Sequence, residues 1–527
     1  MLRSTFLGYK TATSALKVNQ NHLDVVGQNI SNINTKGYTR QRLDISSLSF
    51  NTGNMKFGTA GVIIGQGVEA NGVSQYRDAF LDLRYRMETT KLGSESVQLE
   101  ALTDLESVLD EIKMDKLDAQ FSDLLTQLHS LTSIPSDPVL EGVVRTSAEI
   151  LTQMLNDYSR DIETIYEQQL TYLKEGALVK VNQLTENIAK LNQQIKESNI
   201  SGNPALELND QRNMLIDELA NYIDIEVDVI PLNIGGGKTV DEIVIRLGNT
   251  DFDLVNRNFS SEIKVNDVSK IIEINITTFE KDADGVVKDS DGNPTYNADQ
   301  NITSTIKGGQ IDGYLKFLNG KGEFATADDK TAYNKVADVK GVQYYSNMLD
   351  TLAYKFADTM NELNKTANGD DKPLFQSRDG SDITARNIKI HDDWADATGS
   401  YITNTKETGH GDTSGAVDNI LRMINAFNSD YEFTSKEGKG LFEGTFQEFL
   451  SYTTTKLNLQ VADVEISHDT YTETQFHIDY ARSSMSSVDL NEEGVNLLQY
   501  SKSYNAAARL MTTLDEMLET LINRMGV

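Results

Sequence analysis

The residues best suited to chemistry fall into three small groups. Ile234-Gly235-Gly236-Gly237-Lys238-Thr239 ends like a phosphate loop, in which backbone N–H groups cradle the anion and a lysine reaches it. The full pattern needs Gly at the position of Leu232, and a helix must follow to point its N-terminus at the phosphate. Alternating apolar residues flank the segment instead, so it reads as a hairpin tip. Asp282-x-Asp284-Gly285 and Asp289-x-Asp291-Gly292 open like calcium loops. Neither continues with the further oxygen ligands and the closing Glu, so both read as surface turns. His22, His129, His391, His410, His468 and His477 lack the paired spacing that lets one helix face hold a metal.

Other chemistry is no better supported. There is no Gly-x-Ser-x-Gly elbow and no cysteine, which excludes thiol nucleophiles, disulfides and Cys-ligated metals. Carboxylate pairs abound in a chain with 79 Asp and Glu, so no single pair is informative. Asn258-Phe-Ser260, Asn275-Ile-Thr277 and Asn301-Ile-Thr303 match glycosylation sequons by chance alone. The sequence predicts a protein that is not an enzyme, with no catalytic residue, no cofactor and no metal.

At 527 residues the chain has room for two to four domains. Its net charge of −31 opposes nucleic-acid binding, which needs clustered Lys and Arg. No apolar run approaches the ~18 residues that would insert in a membrane. Residues 1–34 are scattered with Asn and Gln and have no secretory h-region, so any export is expected without a cleaved signal. Charge is uneven. Residues 1–45 hold six Lys or Arg against two acids, a net of +4; residues 486–527 hold three against six, a net of −3. The two segments therefore attract.

The pattern of elements is mostly helical. Leu2, Phe6, Tyr9, Ala12, Leu16, Leu23, Val26, Ile30 and Ile33 recur at steps of mostly three and four, an amphipathic helix with a narrow seam and Asn19 on it. Asn32-Ile-Asn-Thr-Lys-Gly37 ends it in a turn. Tyr38 to Phe50 reads as an extended arm, and Gly-rich 51–75 as β-like. Helix is predicted for 78–131, for 141–200 as a rod of ~90 Å, and for 205–223. From 224 to 330 alternation takes over, as in Ile225-Val227-Val229 and Ile272-Ile274-Ile276. Helix returns at 331–366, 416–427 and 445–482, with 367–415 irregular. A last amphipathic helix covers 486–525. The predicted fold is α+β multidomain: a discontinuous long-helix bundle with its N- and C-terminal helices paired, plus an inserted mainly-β domain. Its domains are 1–77 with 484–527, 78–223 with 331–483, and the β insert 224–330.

Four segments resemble a known family. Asn29-Ile-Ser-Asn-Ile-Asn-Thr-Lys-Gly-Tyr-Thr-Arg-Gln41 is similar to the signature of flagellar rod, hook and hook-associated proteins. Its Tyr-Thr-Arg-Gln continuation resembles the hook-associated protein 1 (FlgK) family more narrowly. So do Ser487-Val-Asp-Leu-Asn-Glu-Glu493, Tyr504-Asn-Ala-Ala-Ala-Arg509 and the interior Asn209-Asp-Gln-Arg-Asn-Met-Leu-Ile-Asp-Glu-Leu219. Ser487 stands where the family usually has Gly, which changes the backbone freedom of that turn. The resemblance implies a structural joint at the hook–filament junction of the bacterial flagellum, exported by the flagellar type III apparatus. It implies that the seam at Phe6, Tyr9, Leu16, Leu23, Val26 and Ile30 pairs with Leu497, Tyr504, Met511, Leu514, Leu518 and Leu521. Asn32, Gly37, Tyr38, Leu490, Glu493 and Arg509, from the signature segments, join the candidate interface. Implied partners are further copies of the chain, the hook protein, the second junction protein and an export chaperone on the C-terminal helix. The alternatives are another axial component or a surface adhesin displaying the β domain.

Overall fold

The computed structural model describes residues 5–48, 67–109, 111–235, 238–266, 271–282, 285–288, 294–407 and 415–523. The glycines of 51–66, Gly236, Gly237, Asp284, Asp289, Asp291 and His410 lie outside them, as do Leu2 and the side chains of Phe6 and Leu521.

Helix α1 (Thr5–Ser31) leads into an antiparallel arm, β1 (Gln41–Ser47) with β2 (Val68–Gln75). The body begins with α2 (Ala79–Val108) and α3 (Glu111–Leu131). Asp78 caps α2 by accepting the N–H groups of Phe80 and Leu81. Next comes the expected rod. Asp137 caps α4 (Pro138–Thr171), with proline in the first turn where its missing N–H costs nothing. A π-helical turn (Tyr172–Ala177) carries the run into α5 (Leu178–Ile200) without a break. Gly176 sits in that turn, where a wider helix absorbs one extra residue. Leu151, Leu155, Ile162, Leu173, Val181 and Ile188 keep one stripe buried along the whole run. Helix α6 (Leu206–Tyr222) folds back against α5.

The β segment starts with a four-stranded antiparallel sheet, β3 (Ile225–Gly235), β4 (Lys238–Leu247), β5 (Asp253–Asn256) and β6 (Phe259–Ser260). Gly235 pairs with Lys238, so the phosphate-loop look-alike falls between two paired strands and has no helix behind it. A second sheet has the order β11-β8-β7, from β7 (Glu262–Asn266), β8 (Glu273–Thr277) and β11 (Gln300–Asn301). The short pair β9 (Lys281–Asp282) and β10 (Gly285–Val286) lies between them in sequence. Strands end at Asn301. Within the stretch read as β to residue 330, Gly309–Asn319 is a buried helix, α7, packed on α2. Ile311, Leu315 and Leu318 carry helical spacing, but eleven residues begun by glycines give a short signal beside the strands.

The chain then returns to the body with α8 (Ala327–Ala332) and α9 (Val342–Asn364). Gly341 separates them because a Cβ there would lie 2.0 Å from the Phe317 carbonyl oxygen. The hairpin β12 (Phe375–Ser377) and β13 (Ile388–Ile390), α10 (Asp392–Ala395), α11 (Asp418–Ala426) and the hairpin β14 (Tyr431–Thr434) and β15 (Gly440–Gly444) complete it. A Thr445–Glu448 capping box opens α12 (Phe446–Ser486), which runs beside α2 toward α13 (Leu490–Asn523).

Phe356 of α9 is the centre of the body core. It is fully buried, with the rings of Phe121, Phe375, Phe427 and Phe446 at 5.2–6.0 Å. Phe356→Ala should cost about 3–5 kcal/mol, read as a lowered denaturant midpoint of the body transition.

Asp350, on the same helix, is mostly buried and accepts the Ala385 N–H at 2.9 Å. Burial pushes its carboxyl up to about 6. An unfolded Asp titrates near 3.9, so between about pH 4 and 6 the folded state binds a proton that the unfolded state does not. Stability from this group therefore falls as pH rises through that window. Asp350→Asn should be more stable than the parent by about 1–3 kcal/mol at pH 7, with the gap closing toward pH 4 in urea titrations.

Candidate functional site: the joint between terminal helices and body

Helix α1 ends in a reversal that must reach β1 within ten residues of Ser31. Asn29 makes this possible. It is 1% exposed; its amide donates to the Gln41 carbonyl at 2.9 Å and its oxygen accepts the Gln41 N–H at 2.9 Å. The Tyr38 hydroxyl donates to the same oxygen at 3.0 Å. Burial, then the carboxylates of Glu207, Asp210 and Glu493, push the Tyr38 hydroxyl well above its ordinary range, so it stays a donor. Inside the loop, the Thr35 hydroxyl donates to Asn32 Oδ1 at 3.1 Å. Gly37 has φ +80°, and a Cβ there would sit 2.1 Å from Met214 Sδ on α6.

The next residues tie the reversal to the body. Asp210 accepts the Thr39 N–H at 3.0 Å and the Thr39 hydroxyl at 2.7 Å. Burial pushes the Asp210 carboxyl up, while the bonds from Thr39 and the charge of Arg77 act against that rise. Arg40 donates from Nε to Glu493 at 2.7 Å and from Nη1 to Glu492 at 2.6 Å, and its N–H meets the Ser486 carbonyl at 2.9 Å. Gln41 and Gln28 both donate to Glu207. Below them Asp217 takes Arg86 at 2.7 Å and Arg482 at 2.6 Å, and the Arg482 guanidinium lies 3.9 Å from the Tyr85 ring centroid. Arg77 pairs with Asp82. An open cleft of about 930 Å³ remains between these groups, lined among others by Lys36, Tyr38, Asp82, Asp217 and Arg482.

Three of the four resembling segments thus converge here: 29–41, 209–219 and 487–493, while 504–509 lies further along α13. Asn29, Thr39, Arg40, Asp210, Asp217 and Arg482 do the holding, although none was a candidate by type or spacing. Five of the six lie within or beside the quoted segments; the body arginines Arg77 and Arg86 left no sequence signal. Arg212 is 8% exposed and bonds Asn192 and Asn209, each at 2.9 Å. Burial, then the charges of Arg77 and Arg86, push its guanidinium down to about 10.

From the joint, α1 and α13 pair antiparallel. His22 stacks on Tyr500 at 4.1 Å, the Thr13 hydroxyl meets Met511 Sδ at 3.8 Å, and Gly8 faces Leu514. Burial pushes the His22 imidazole down. The α13 seam runs by sevens through Glu493, Tyr500, Ala507 and Leu514. A second set of sevens, Leu490, Leu497, Tyr504, Met511 and Leu518, lies to one side of it. Leu490, Leu497 and Tyr504 are 56%, 41% and 36% exposed, while Met511 and Leu518 are half-buried. So Leu497 and Tyr504 stand beside the expected pairing rather than in it, because small Ala507 and flat Tyr500 fit closer to α1. On α1, Val26 is buried, Leu16, Leu23 and Ile30 are half-buried, and Tyr9 is 38% exposed. Asn32 and Tyr38 are half-buried; Gly37 and Arg509 are exposed. Among the described residues no His, Asp and Glu cluster could hold a metal, and no helix is long and apolar enough to cross a membrane.

Comparison with known proteins agrees with this anatomy. Residues 10–39 match the model described as flagella basal body rod protein, and 482–525 match flagellar basal body rod FlgEFG protein C-terminal. Fold and joint together are those of a flagellar axial protein. Residues 102–375 match the helical domain of flagellar hook-associated protein FlgK, and the chain belongs to that family. The flagellar hook-associated protein 1 of Bacillus subtilis (strain 168) is 28% identical over 544 residues, covering 100% of this chain and 99% of that one. That of Salmonella typhimurium is 29% identical over 223 residues, 41% of this chain and 38% of its own. The structure of the flagellar hook junction protein FlgK from Burkholderia pseudomallei superposes with TM-score 0.54 over 76% of this chain and 99% of that one; at 12% identity the likeness is one of fold.

Gly37→Ala should cost about 1–3 kcal/mol and speed proteolysis at 36–41, through left-handed strain and the clash with Met214. Met214→Ala in that background should restore part of the loss and leave about 1 kcal/mol of strain, a coupling that a double-mutant cycle measures.

Proposed function

We propose that this chain is a structural subunit joining hook to filament in the bacterial flagellum, and that it polymerises through its paired terminal helices. One observation carries the reading. Three sequence segments far apart in the chain build a single polar joint, and that joint holds out a helix pair whose second apolar row is half uncovered. A helix pair with an open row buries it against neighbours, whereas a docked core helix would bury it at home. In this reading 1–77 with 484–527 form the assembling part, 78–223 with 331–483 the supporting body, and 224–330 the inserted domain, whose strands face outward while its helix α7 packs back on α2 of the body.

The further partners are the hook protein, the second junction protein and a chaperone that covers the C-terminal helix before export. Membership in a structural flagellar family supports a role without catalysis. The subunit works outside the cell.

Deleting the gene should leave bare hooks in electron micrographs, with flagellin released into the medium. Normal filaments in the deletant would sink the proposal. Leu514→Asp, placed against Gly8, should leave the body's unfolding transition unchanged while filament number in complemented cells falls to that of the deletant. Unfolding of the body by this variant would instead mean that the pair is part of the chain's own core.

A further inference from the structure

The terminal helix pair is banded in charge along its axis. From Gly8 to Leu23 on α1, and from Gly494 to Leu514 on α13, there is no Asp or Glu. The same stretches carry Lys10, Lys17, Lys502 and Arg509, all exposed. The antiparallel pairing interleaves these four along one stretch of the pair, between the levels of Lys502 and about residue 513 of α13, since His22 meets Tyr500 and Thr13 meets Met511. In a chain of net charge −31 this is a belt of positive charge alone. Acids border it on both sides. Toward the tip stand Asp515, Glu516 and Glu519; toward the body stand Asp24, Asp489 and Glu492, all exposed.

Little of this charge is used within the chain. Among the described residues, none of the four cations lies in an ion pair, and neither do Asp24, Asp515, Glu516 or Glu519. Glu492 pairs with Arg40, and Asp489 caps α13 by accepting the Asn491 N–H at 2.7 Å. Arg3 and Arg524 lie outside the described residues. Exposed Leu498, Leu510 and Met517 run through the belt and into the tip, so the surface is apolar as well as charged.

We propose that neighbouring copies of the chain pack their helix pairs side by side, shifted along the axis by roughly 17 Å. The inference rests on the assembly reading above and specifies its register. The tip acids are centred about nine to ten residues from the middle of the belt and the body-side acids about fourteen, so a shift of about eleven to twelve residues, roughly 17 Å at about 1.5 Å per residue, serves both borders. Shifting one copy by that distance toward the body of its neighbour lays its acidic tip on the neighbour's belt. The same shift lays its own belt beside the neighbour's Asp24, Asp489 and Glu492. A single offset therefore satisfies both borders. Zero offset sets cation against cation and acid against acid, and so does a two-fold about the middle of the belt. The contact is heterologous, one face of the pair meeting a different face of the next, and such contacts propagate rather than close on themselves as a dimer.

The absence of cysteine makes the register testable in assembled flagella. Lys17 sits level with residues near 505, so residue 516 of the same copy is about 16 Å away along the axis. That exceeds the Cα separation of about 7 Å that a disulfide spans, so a link can form only between copies. After mild oxidation, Lys17→Cys with Glu516→Cys should give a ladder of linked dimers and larger species, about ten-fold above either single variant. A second arm covers failure of the cysteines to assemble. Lys10→Glu with Lys17→Glu should cut filament number about ten-fold, and adding Asp515→Lys with Glu516→Lys should restore it. No ladder and no restoration, in cells whose filaments still depend on the chain, overturns the offset. Filaments that do not depend on the chain overturn the assembly reading itself.

Discussion

One interaction recurs at four places where a helix of this protein holds an extended segment: an asparagine amide bonded to both backbone groups of a single residue. Asn29 clasps Gln41 in this way, Asn182 of α5 clasps Ile263, and Asn319 of α7 clasps Ile272. Asn361 of α9 bonds the Phe375 N–H and carbonyl and also takes the Leu374 N–H. The geometry follows from need. An extended segment that lies against a helix still carries an N–H and a C=O with no strand partner on that side, and burying them unpaired costs about 1–3 kcal/mol each. An amide carries one donor face and one acceptor face at the right spacing to satisfy both. The clasp at Asn29 matters most, because the strand that aims the terminal helices away from the body begins at Gln41.

Body and joint are stabilised by different physics. The body is apolar throughout, from Leu105 and Leu117 through Phe356 to Leu457, and its stability scales with area removed from water. The joint is polar. Asp82, Asp210, Asp217 and Glu493 are countered by Arg40, Arg77, Arg86 and Arg482, with the Glu493 side chain 2% exposed. Desolvating such pairs offsets most of their attraction, so they add little net stability. What they supply is direction. An apolar contact tolerates sliding, whereas Arg40 can meet Glu492, Glu493 and the Ser486 carbonyl together in only a narrow range of placements. A part that must present its helix pair at a fixed angle gains more from such geometry than from further buried area.

Much of this architecture is legible in one dimension, and the remainder is not for identifiable reasons. The long run from Pro138 to Ile200 shows itself by apolar steps of three and four, and the strands from Ile225 to Thr277 by alternation. Helix α7 is missed because eleven residues beside strands give too few turns to establish a period. The joint is visible only as resemblance. Asn29, Thr39 and Asp210 are short polar residues of the kind that populate any turn, and their partners lie 9 to 171 positions away. The α13 seam shows the limit of periodicity itself. Two rows share the same seven-residue spacing, and the row richer in large apolar residues meets α1 at Met511 but leaves Leu490, Leu497 and Tyr504 exposed. Size draws a sequence reading to Leu497 and Tyr504, but close approach of two helices favours Ala507 and Gly8.

That inversion bears on how the pair can be both present in the monomer and available for assembly. A seam of His22 on Tyr500, Thr13 at Met511 and Gly8 against Leu514, with small Ala507 between, brings the helices near but buries few methyl groups, so it stabilises the pair only modestly. Helices of 27 and 34 residues gain further from their own backbone bonds. The larger side chains are left on the outer row, where burial requires a second surface. Had Leu490, Leu497 and Tyr504 been spent on α1, the monomer's pair would be more stable and would offer a neighbour much less. The polar joint makes the economy workable: because Arg40, Asp210 and Asn29 fix the direction of the pair, the seam needs only to keep two helices together.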